Sequence, residues 1–464
     1  MSTNFDVAIV GGGAAAATTL IALAALPQAD QLRVLWMAPA PCDGRGLAYS
    51  TPDLMHRLNV RAQCMSARAD LPEDFVDFLT TRFGHADPHG FYPRRCYGAY
   101  LAERVATAWQ SLRGERWEVS AQHLDHDGGA WILTGSDDTQ RRADHLVLAI
   151  GPQAQQALSC VEPALLERGS YRIDPYAWVS ASHANFGIRQ IWIIGSGLSA
   201  VDLALTAARL HSDAQIHLIS RHGALPTAHG PVQTPAADLF ATQLQLPAVS
   251  QVLRELRRNI AQHGDWRAVI DALRARTADR WQHWPKPEQQ RFLRHLRWLW
   301  DSARHRMAPE VAAATTALQA SGRMSVHRGR IMAIRAEQQR AQLHWRPRGD
   351  SRIKVDSADL VLQATGFNTG LSRCTTPLLR SLLEGGLAQV DALDMGLAVD
   401  PEQRLIDGKG QVRTDAHVIG ALALGSRFEC IAMPEIRSTA AAIAHDLFRT
   451  DLQPIPQNGI STPD

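Results

Sequence analysis

Near its start the chain changes hydrophobic pattern abruptly. Val7 to Val10 form a solid apolar run, three glycines follow, and from Ala14 to Leu26 small and apolar residues continue at helical length. A buried strand, a tight turn and a helix are expected in that order. The same succession recurs far down the chain, where Ile191 to Ile194 lead into Gly195-Ser196-Gly197 and the amphipathic run LSAVDLALTAARL. Each turn carries G-x-G-x-x-A: Gly11, Gly13 and Ala16 in the first, Gly195, Gly197 and Ala200 in the second. That spacing suits a dinucleotide: one glycine for the turn, one so the backbone can approach a pyrophosphate, and a small residue for close helix packing. Ala14, Ser196 and Ser199 fall in the turns or first helical turns, where N–H groups would face the phosphates.

The rest of the pattern places the other elements. A strand Leu32–Trp36 belongs beside the first. The ribose acid that often ends such a strand is replaced by Met37 and Ala38. Residues 44 to 79 show little period in their first half and read as a long loop running into a helix. Alternation between Gln122 and Arg141 predicts a small antiparallel insertion, closed by the apolar run Leu146–Ile150. After the strand Gln215–Ser220, residues 235 to 320 repeat Leu, Ala, Trp and Arg at three- and four-residue spacing, a helical insertion. Its tryptophans are expected to be packed and its arginines, Arg294, Arg297, Arg304 and Arg306, solvated. A strand pair over Met324–Ile334, a hairpin through Pro347–Asp350, the strand Leu360–Leu362, a short strand at Val418 and Ile419, and a helix from Pro434 complete the series. The Pro-, Gln- and Ser-rich tail after Leu452 is expected to be disordered.

The chain has 464 residues, enough for two or three domains. Lys plus Arg at 48 against Asp plus Glu at 46 leaves it nearly neutral, which points to a small-molecule partner rather than nucleic acid or a membrane surface. No basic n-region precedes the first apolar run, so a signal peptide is not expected there. The cysteines Cys42, Cys64, Cys96, Cys160, Cys374 and Cys430 contain no C-x-x-C pair, which disfavours a zinc site, a disulfide framework or a redox dithiol and fits a reducing, cytoplasmic setting. Arg221 and His222 follow the strand Gln215–Ser220 where an NADH-preferring site would carry an acid. A cation there suits a 2′-phosphate, so NADPH is expected.

The segments GLAYS (Gly46–Ser50), LNV (Leu58–Val60), Met65-Ser66, EDF (Glu73–Phe75) and YPRRCYGAYL (Tyr92–Leu101) resemble bacterial flavoproteins with two dinucleotide sites, the NADPH-dependent class B type flavin monooxygenases that include amino-acid N-hydroxylases. The run SRHGALPTAHG (Ser220–Gly230) and the A-T-G-aromatic linker Ala364–Phe367 extend the resemblance. The resemblance implies an α/β fold of two Rossmann-like dinucleotide-binding domains, for FAD and NADPH, with the helical insertion in the second. The FAD domain is expected over 1–160 and 350–464, and the NADPH domain over 161–349. It also implies that Tyr49 and Ser50 lie near the phosphoribityl part of FAD, and Asn59, Met65 and Ser66 near its ring system. Thr365 and Gly366 would lie in the return linker; Gly420, just after the short strand at Val418 and Ile419, is a further cofactor-binding candidate, and Pro434, Glu435 and Ile436 open a helix whose free N–H groups and positive dipole end would meet the flavin's pyrimidine side.

The activity implied is a monooxygenase reaction: NADPH reduces FAD, dioxygen is captured as a C4a-(hydro)peroxide, and oxygen passes to a small molecule, N-hydroxylation of an amine or amino acid leading. Baeyer–Villiger oxygen insertion and a non-oxygenating NAD(P)H-dependent flavin oxidoreductase stay open. The F-x-G-x-x-x-H-x-x-x-W signature of the former is absent, and Asn368 stands where N-hydroxylases commonly carry Asp. No catalytic dyad is legible; Asn59, His229 and Asn368 are the candidates, and no metal site is expected. Oligomerisation is not readable.

Overall fold

Two parallel-centred sheets organise the protein in a computed structural model that describes residues 4–181, 187–231, 240, 248–368 and 370–448. The tail after Leu452 lies outside the described residues. The first sheet takes β1 (Phe5–Val10), β2 (Arg33–Met37), β3 (Arg113–Trp117), the hairpin β4 (Ala121–His126) and β5 (Trp131–Gly135), and β6 (Gln140–Leu148). The second takes β7 (Tyr171–Arg172), β8 (Gln190–Ile194), β9 (Gln215–Ser220), β10 (Met324–Glu337), β11 (Arg340–Pro347), β12 (Lys354–Ala358) and β13 (Leu360–Gln363). The chain then returns to the first with β14 (Arg404–Ile406) and β15 (Val412–Val418). The orders are β14-β15-β6-β1-β2-β3, with β5 also pairing β6, and β12-β11-β10-β9-β8-β13-β7. In each, the strand before the glycine turn lies centrally, with parallel neighbours on both sides.

Alternation along these strands assigns the layers. Val7, Ile9, Val34, Trp36 and Val147 face one core with the helices Ala14–Ala24, Arg94–Gln110 and Met433–Leu447. Ala8, Val10, Leu35, Met37, Leu146 and Leu148 face the opposite core. That second core is filled from the helical insertion, by Val269, Leu273, Trp281, Phe292 and Trp300 among others. The insertion therefore leaves the second sheet between β9 and β10 but packs on the first.

Three expectations are corrected. Met324–Ile334 is not a strand pair but part of one strand, β10, whose first half pairs parallel with β9 and whose second half pairs antiparallel with β11. The switch back to the first sheet falls after Gln363 rather than near 350, because β12 extends the β10–β11 hairpin and β13 takes the place beside β8. The arginines of the insertion are not uniformly solvated. Arg304 and Arg306 are buried, at 7% and 3% exposure, and form ion pairs with Glu429 and Asp271, while Arg294 is exposed. Among the described residues, no helix is long and apolar enough to cross a membrane.

Candidate functional site

The two glycine turns have the same local construction. Gly11 has φ +136° and Gly195 φ +133°, conformations that side chains rarely adopt. Gly11 N–H donates to Met37 O and Gly195 N–H to Ile219 O, tying each turn to the neighbouring strand (2.9 and 2.8 Å). On the other side Ala149 N–H donates to Val10 O and Ala364 N–H to Ile194 O, both at 2.8 Å. A Cβ on Gly11 would sit 2.2 Å from Ala149 O, and one on Gly195 2.1 Å from Ala364 O. The following helices, Ala14–Ala24 and Leu198–Leu210, begin at Gly13 and Gly197, both extended and neither helix capped by a side chain. Their first N–H groups are thus left for an anion. Both turns fit a dinucleotide pyrophosphate: the backbone is bared where only glycine is sterically allowed, and the donors are uncapped.

Around the first turn the expected loop closes in. A Cβ on Gly46 would lie 2.8 Å from Gly13 Cα, and one on Gly420 3.6 Å from Ala15 Cβ, so GLAYS and the chain after β15 both border the helix start. Tyr49 packs edge-on against Tyr97 at 4.7 Å, and burial lifts its hydroxyl to about 12, keeping it protonated. Ser50 Oγ donates to Gly46 O at 2.6 Å, inside its own loop. Met65 and Ser66 are buried. The Ser66 hydroxyl donates to Leu71 O (2.7 Å) and its carbonyl accepts from Arg437 Nη1 (3.0 Å), joining this loop to the helix Met433–Leu447. That helix begins at Ala432 with no side-chain cap, so the N–H groups of Met433 and Glu435 have no side-chain acceptor, whereas Pro434 has no N–H to offer and Ile436 N–H is already donated to Ala432 O at 2.9 Å. Glu435's own carboxylate is held by Arg274 from the insertion.

The second sheet's loop meets the same region. His229 Nε2 donates to Asn59 O at 3.0 Å, and the His229 ring lies 4.6 Å from that of Phe91. Burial, with Arg306 and Arg61 nearby, pushes His229 down to about 4. The ring is therefore neutral near pH 7, protonated on Nε2, and Nδ1 is an acceptor. Arg61 donates to Gly230 O at 2.8 Å. The Cys64 thiol lies within electrostatic reach of Arg61, Arg274, Glu435 and Arg437, so loop 59–66, the His229 loop, the insertion and the C-terminal helix converge on one place.

Asn59 and His229 are thus brought together; Asn368 is placed elsewhere. It pairs with Gln153 where the two crossings between the sheets run side by side, and its amide donates to Ala154 O at 3.3 Å. Gly366 O accepts from Gln155 on the same crossing, and Thr365 is exposed. In the second turn Ser196 Oγ donates to Ala224 O (2.7 Å) and contacts Ser220 Oγ (2.8 Å), Ser199 is half-buried, and Arg221 is exposed at the end of β9.

Several residues of this region carried no sequence signal. Glu429 sits at φ +70°, uncommon for its type, with Trp300 Nε1 donating to Oε1 at 2.7 Å and Arg304 at 3.4 Å. Trp281 Nε1 donates to Gly425 O at 2.7 Å. These indole and guanidinium groups fix the segment leading into the C-terminal helix. Among the described residues, no group of three or more His, Cys, Asp or Glu could hold a metal ion.

A family model described as FAD-NAD(P)-binding matches residues 8–153. The sequence has no significant match among curated proteins. Among solved structures the chain is similar in fold to the ornithine N-hydroxylase of Kutzneria sp. 744, with TM-score 0.68 and 15% identity over 96% of this chain and 99% of that one. It is similar to the cadaverine monooxygenase of Erwinia amylovora, with TM-score 0.67 and 14% identity over 100% and 99%. The bacillithiol disulfide reductase of Staphylococcus aureus also matches, with TM-score 0.57 and 13% identity over 97% and 99%. At these identities the likeness establishes the fold of two Rossmann-like domains.

Proposed function

We propose that the chain is an FAD- and NADPH-dependent monooxygenase that N-hydroxylates a small amine or amino acid. The observation that carries this reading is the duplicated glycine turn: two nests of the same geometry, one on each sheet, each barred to any side chain by a carbonyl about 2 Å from where its Cβ would stand. Two dinucleotides on one chain suit a flavin and the nicotinamide that reduces it. The greater similarity to two amine-oxygenating enzymes than to a disulfide reductase, and six free cysteines with no C-x-x-C pair, favour oxygen rather than thiol chemistry.

Bound together, FAD and NADPH would supply electrons from the nicotinamide to the flavin and, through the reduced flavin, the activation of dioxygen. Gly11, Gly13 and Ala14 would hold the FAD pyrophosphate on the helix Ala14–Ala24, with the buried Ala16 allowing that helix to pack close to the strand; Gly195, Ser196, Gly197 and Ser199 would do the same for NADPH on the helix Leu198–Leu210, with Arg221 at the 2′-phosphate. The uncapped start of the helix at Met433–Ile436 would place a positive dipole end beside the flavin's pyrimidine edge, where reduction adds negative charge. Asn59, Met65 and Ser66 would line the ring's surroundings. His229, neutral and locked to Asn59 O, keeps one acceptor nitrogen, Nδ1, at the junction of the two domains without adding a positive charge. The buried Trp281 and Trp300 back this region with apolar surface that excludes water.

The test supplies FAD-loaded protein with NADPH, isotopically labelled dioxygen and a panel of ornithine, lysine, cadaverine and cyclic ketones. An amine product carrying one labelled oxygen as a hydroxylamine, formed in step with NADPH oxidation, is expected. Recovery of all consumed oxygen as hydrogen peroxide with every substrate would instead indicate a non-oxygenating oxidoreductase, and a labelled lactone from the ketones a Baeyer–Villiger enzyme.

A further inference from the structure

In a Rossmann sheet the residue after the second strand reads the ribose of the dinucleotide. Here that residue, Arg221, opens into a cleft of about 240 Å3 whose opposite wall is the β10–β11 hairpin, with Arg330, Arg346 and Arg348 in its lining. β10 runs parallel to β9 with Arg328 opposite Ser220, and the turn after β9 lies directly on it: a Cβ on Gly223 would stand 2.8 Å from Arg328 Cβ. Among the described residues, none of Arg221, Arg328, Arg330, Arg346 and Arg348 has a carboxylate partner within 4.0 Å. The one carboxylate in the cleft, Asp350, is taken by Arg352 at 3.2 Å. Guanidinium groups gathered around a concave site without counter-ions repel one another, and an anion held between them relieves that repulsion.

One of these arginines is also held in place. Arg348 Nη1 lies 3.3 Å from His222 Nδ1, and Arg348 N–H donates to Arg328 O at 2.9 Å. The His222 ring stacks on Trp298, with centroids 4.3 Å apart and planes 6° from parallel. Trp298 comes from the insertion helix Arg297–Arg304, so the insertion reaches this edge of the second sheet as well as the first. Burial and the surrounding arginines lower the pKa of His222, leaving Nδ1 free to accept from Arg348 near neutral pH.

We propose that the 2′-phosphate of NADPH is read by a composite site, Arg221 from the turn after β9 with Arg330 and Arg348 from the β10–β11 hairpin, and that Trp298 and His222 position Arg348. The proposal rests on the NADPH reading above and goes beyond it by assigning coenzyme choice to the hairpin. An enzyme using Arg221 alone would tolerate truncation of the hairpin side chains.

The experiment measures binding of adenosine 2′,5′-bisphosphate and of adenosine 5′-monophosphate to the FAD-loaded protein by calorimetry, without turnover. The wild-type protein should bind the bisphosphate at least about tenfold more tightly, the discrimination expected of charge-assisted contacts to one phosphate. Arg348→Ala and Arg330→Ala should each weaken the bisphosphate about tenfold and leave the monophosphate within about twofold. His222→Ala should lose part of the bisphosphate affinity only, and Arg335→Ala, farther along β10, none. Loss in Arg221→Ala alone, with the hairpin variants unchanged, would overturn the composite site while keeping NADPH as coenzyme. Weakening of both nucleotides alike in the hairpin variants would also overturn it, as a structural effect. Equal affinity of the wild-type protein for the two nucleotides would overturn the NADPH reading itself.

Discussion

Gly195→Ala is expected to leave a protein that still carries flavin but is reduced by NADPH at least about a hundredfold more slowly, because the added methyl meets a backbone carbonyl at a φ that alanine resists. The methyl would sit 2.1 Å from Ala364 O, and a backbone oxygen cannot be turned aside like a flexible side chain. Either the turn rotates, spoiling the donors at the start of Leu198–Leu210, or β13 shifts; both damage the second nest and leave the first untouched. Gly11→Ala is the mirror experiment. Its methyl would meet Ala149 O at 2.2 Å, and the expected product is protein without bound flavin or with greatly reduced yield. Flavin absorbance after gel filtration, followed by anaerobic reduction with NADPH, reads both. If Gly195→Ala lost flavin while Gly11→Ala kept it, the assignment of FAD to the first turn and NADPH to the second would be reversed.

Arg94→Met is expected to destabilise the protein by about 3–5 kcal/mol, the usual consequence of leaving a buried carboxylate without its cation. Arg94 opens the helix Arg94–Gln110 of the first domain, and its guanidinium meets Asp202, on the second domain's helix, at 2.7 Å; their side chains are 15% and 4% exposed. Beside them His56 bridges Thr51 Oγ1 (2.6 Å) and Thr206 Oγ1 (2.9 Å), and Asp53 accepts from Thr206 (2.6 Å) and Arg209 (2.7 Å). This network fastens the two domains together beside Tyr49 of the GLAYS loop. Burial outweighs Arg94 and raises the Asp202 pKa even in the intact pair. Without Arg94 it rises further, so the variant's carboxyl is neutral at low pH and must ionise or stay penalised as pH climbs. A group whose folded pKa is raised contributes stability below its unfolded value and loses it as pH rises through the folded one. The deficit of Arg94→Met is therefore expected to be larger at pH 8 than at pH 5, and Arg94→Met combined with Asp202→Leu should recover most of it. Urea unfolding followed by flavin fluorescence and circular dichroism supplies the comparison, and a deficit unchanged by pH and by the second substitution would show that the ion pair is not what is lost.

The parts of the site that are legible in the sequence are the ones built locally. A strand, a glycine turn and a helix are specified within a few residues, so Gly11, Gly13, Gly195 and Gly197 can be placed from spacing alone, and the structure gives Gly11 and Gly195 nearly the same φ and both turns equivalent flanking hydrogen bonds. Helical periodicity in the insertion marks an apolar stripe but not what the stripe packs against. Its burial on the first sheet, and of Arg304 and Arg306 beneath it, depends on contacts far apart in sequence. The return after Gln363 falls at the A-T-G-aromatic linker Ala364–Phe367, while the bound expected near 350 comes too early because β12 and β13 follow the hairpin almost without a break. Arg94 and Asp202 look like ordinary helix residues until the two domains are brought together. Glu429 at positive φ, held by Trp300 and Arg304, has no local signature because its conformation is imposed by the insertion.

The central claim is that one chain holds a flavin in its first nest and the nicotinamide that reduces it in its second. Anaerobic titration of the purified, FAD-loaded protein with NADPH, followed by absorbance and paired with a protein-to-flavin ratio, tests it most directly. One FAD per chain, bleached stoichiometrically by NADPH and much more slowly by NADH, is the predicted result. A protein that binds no FAD, or one whose flavin NADPH leaves oxidised, would contradict it.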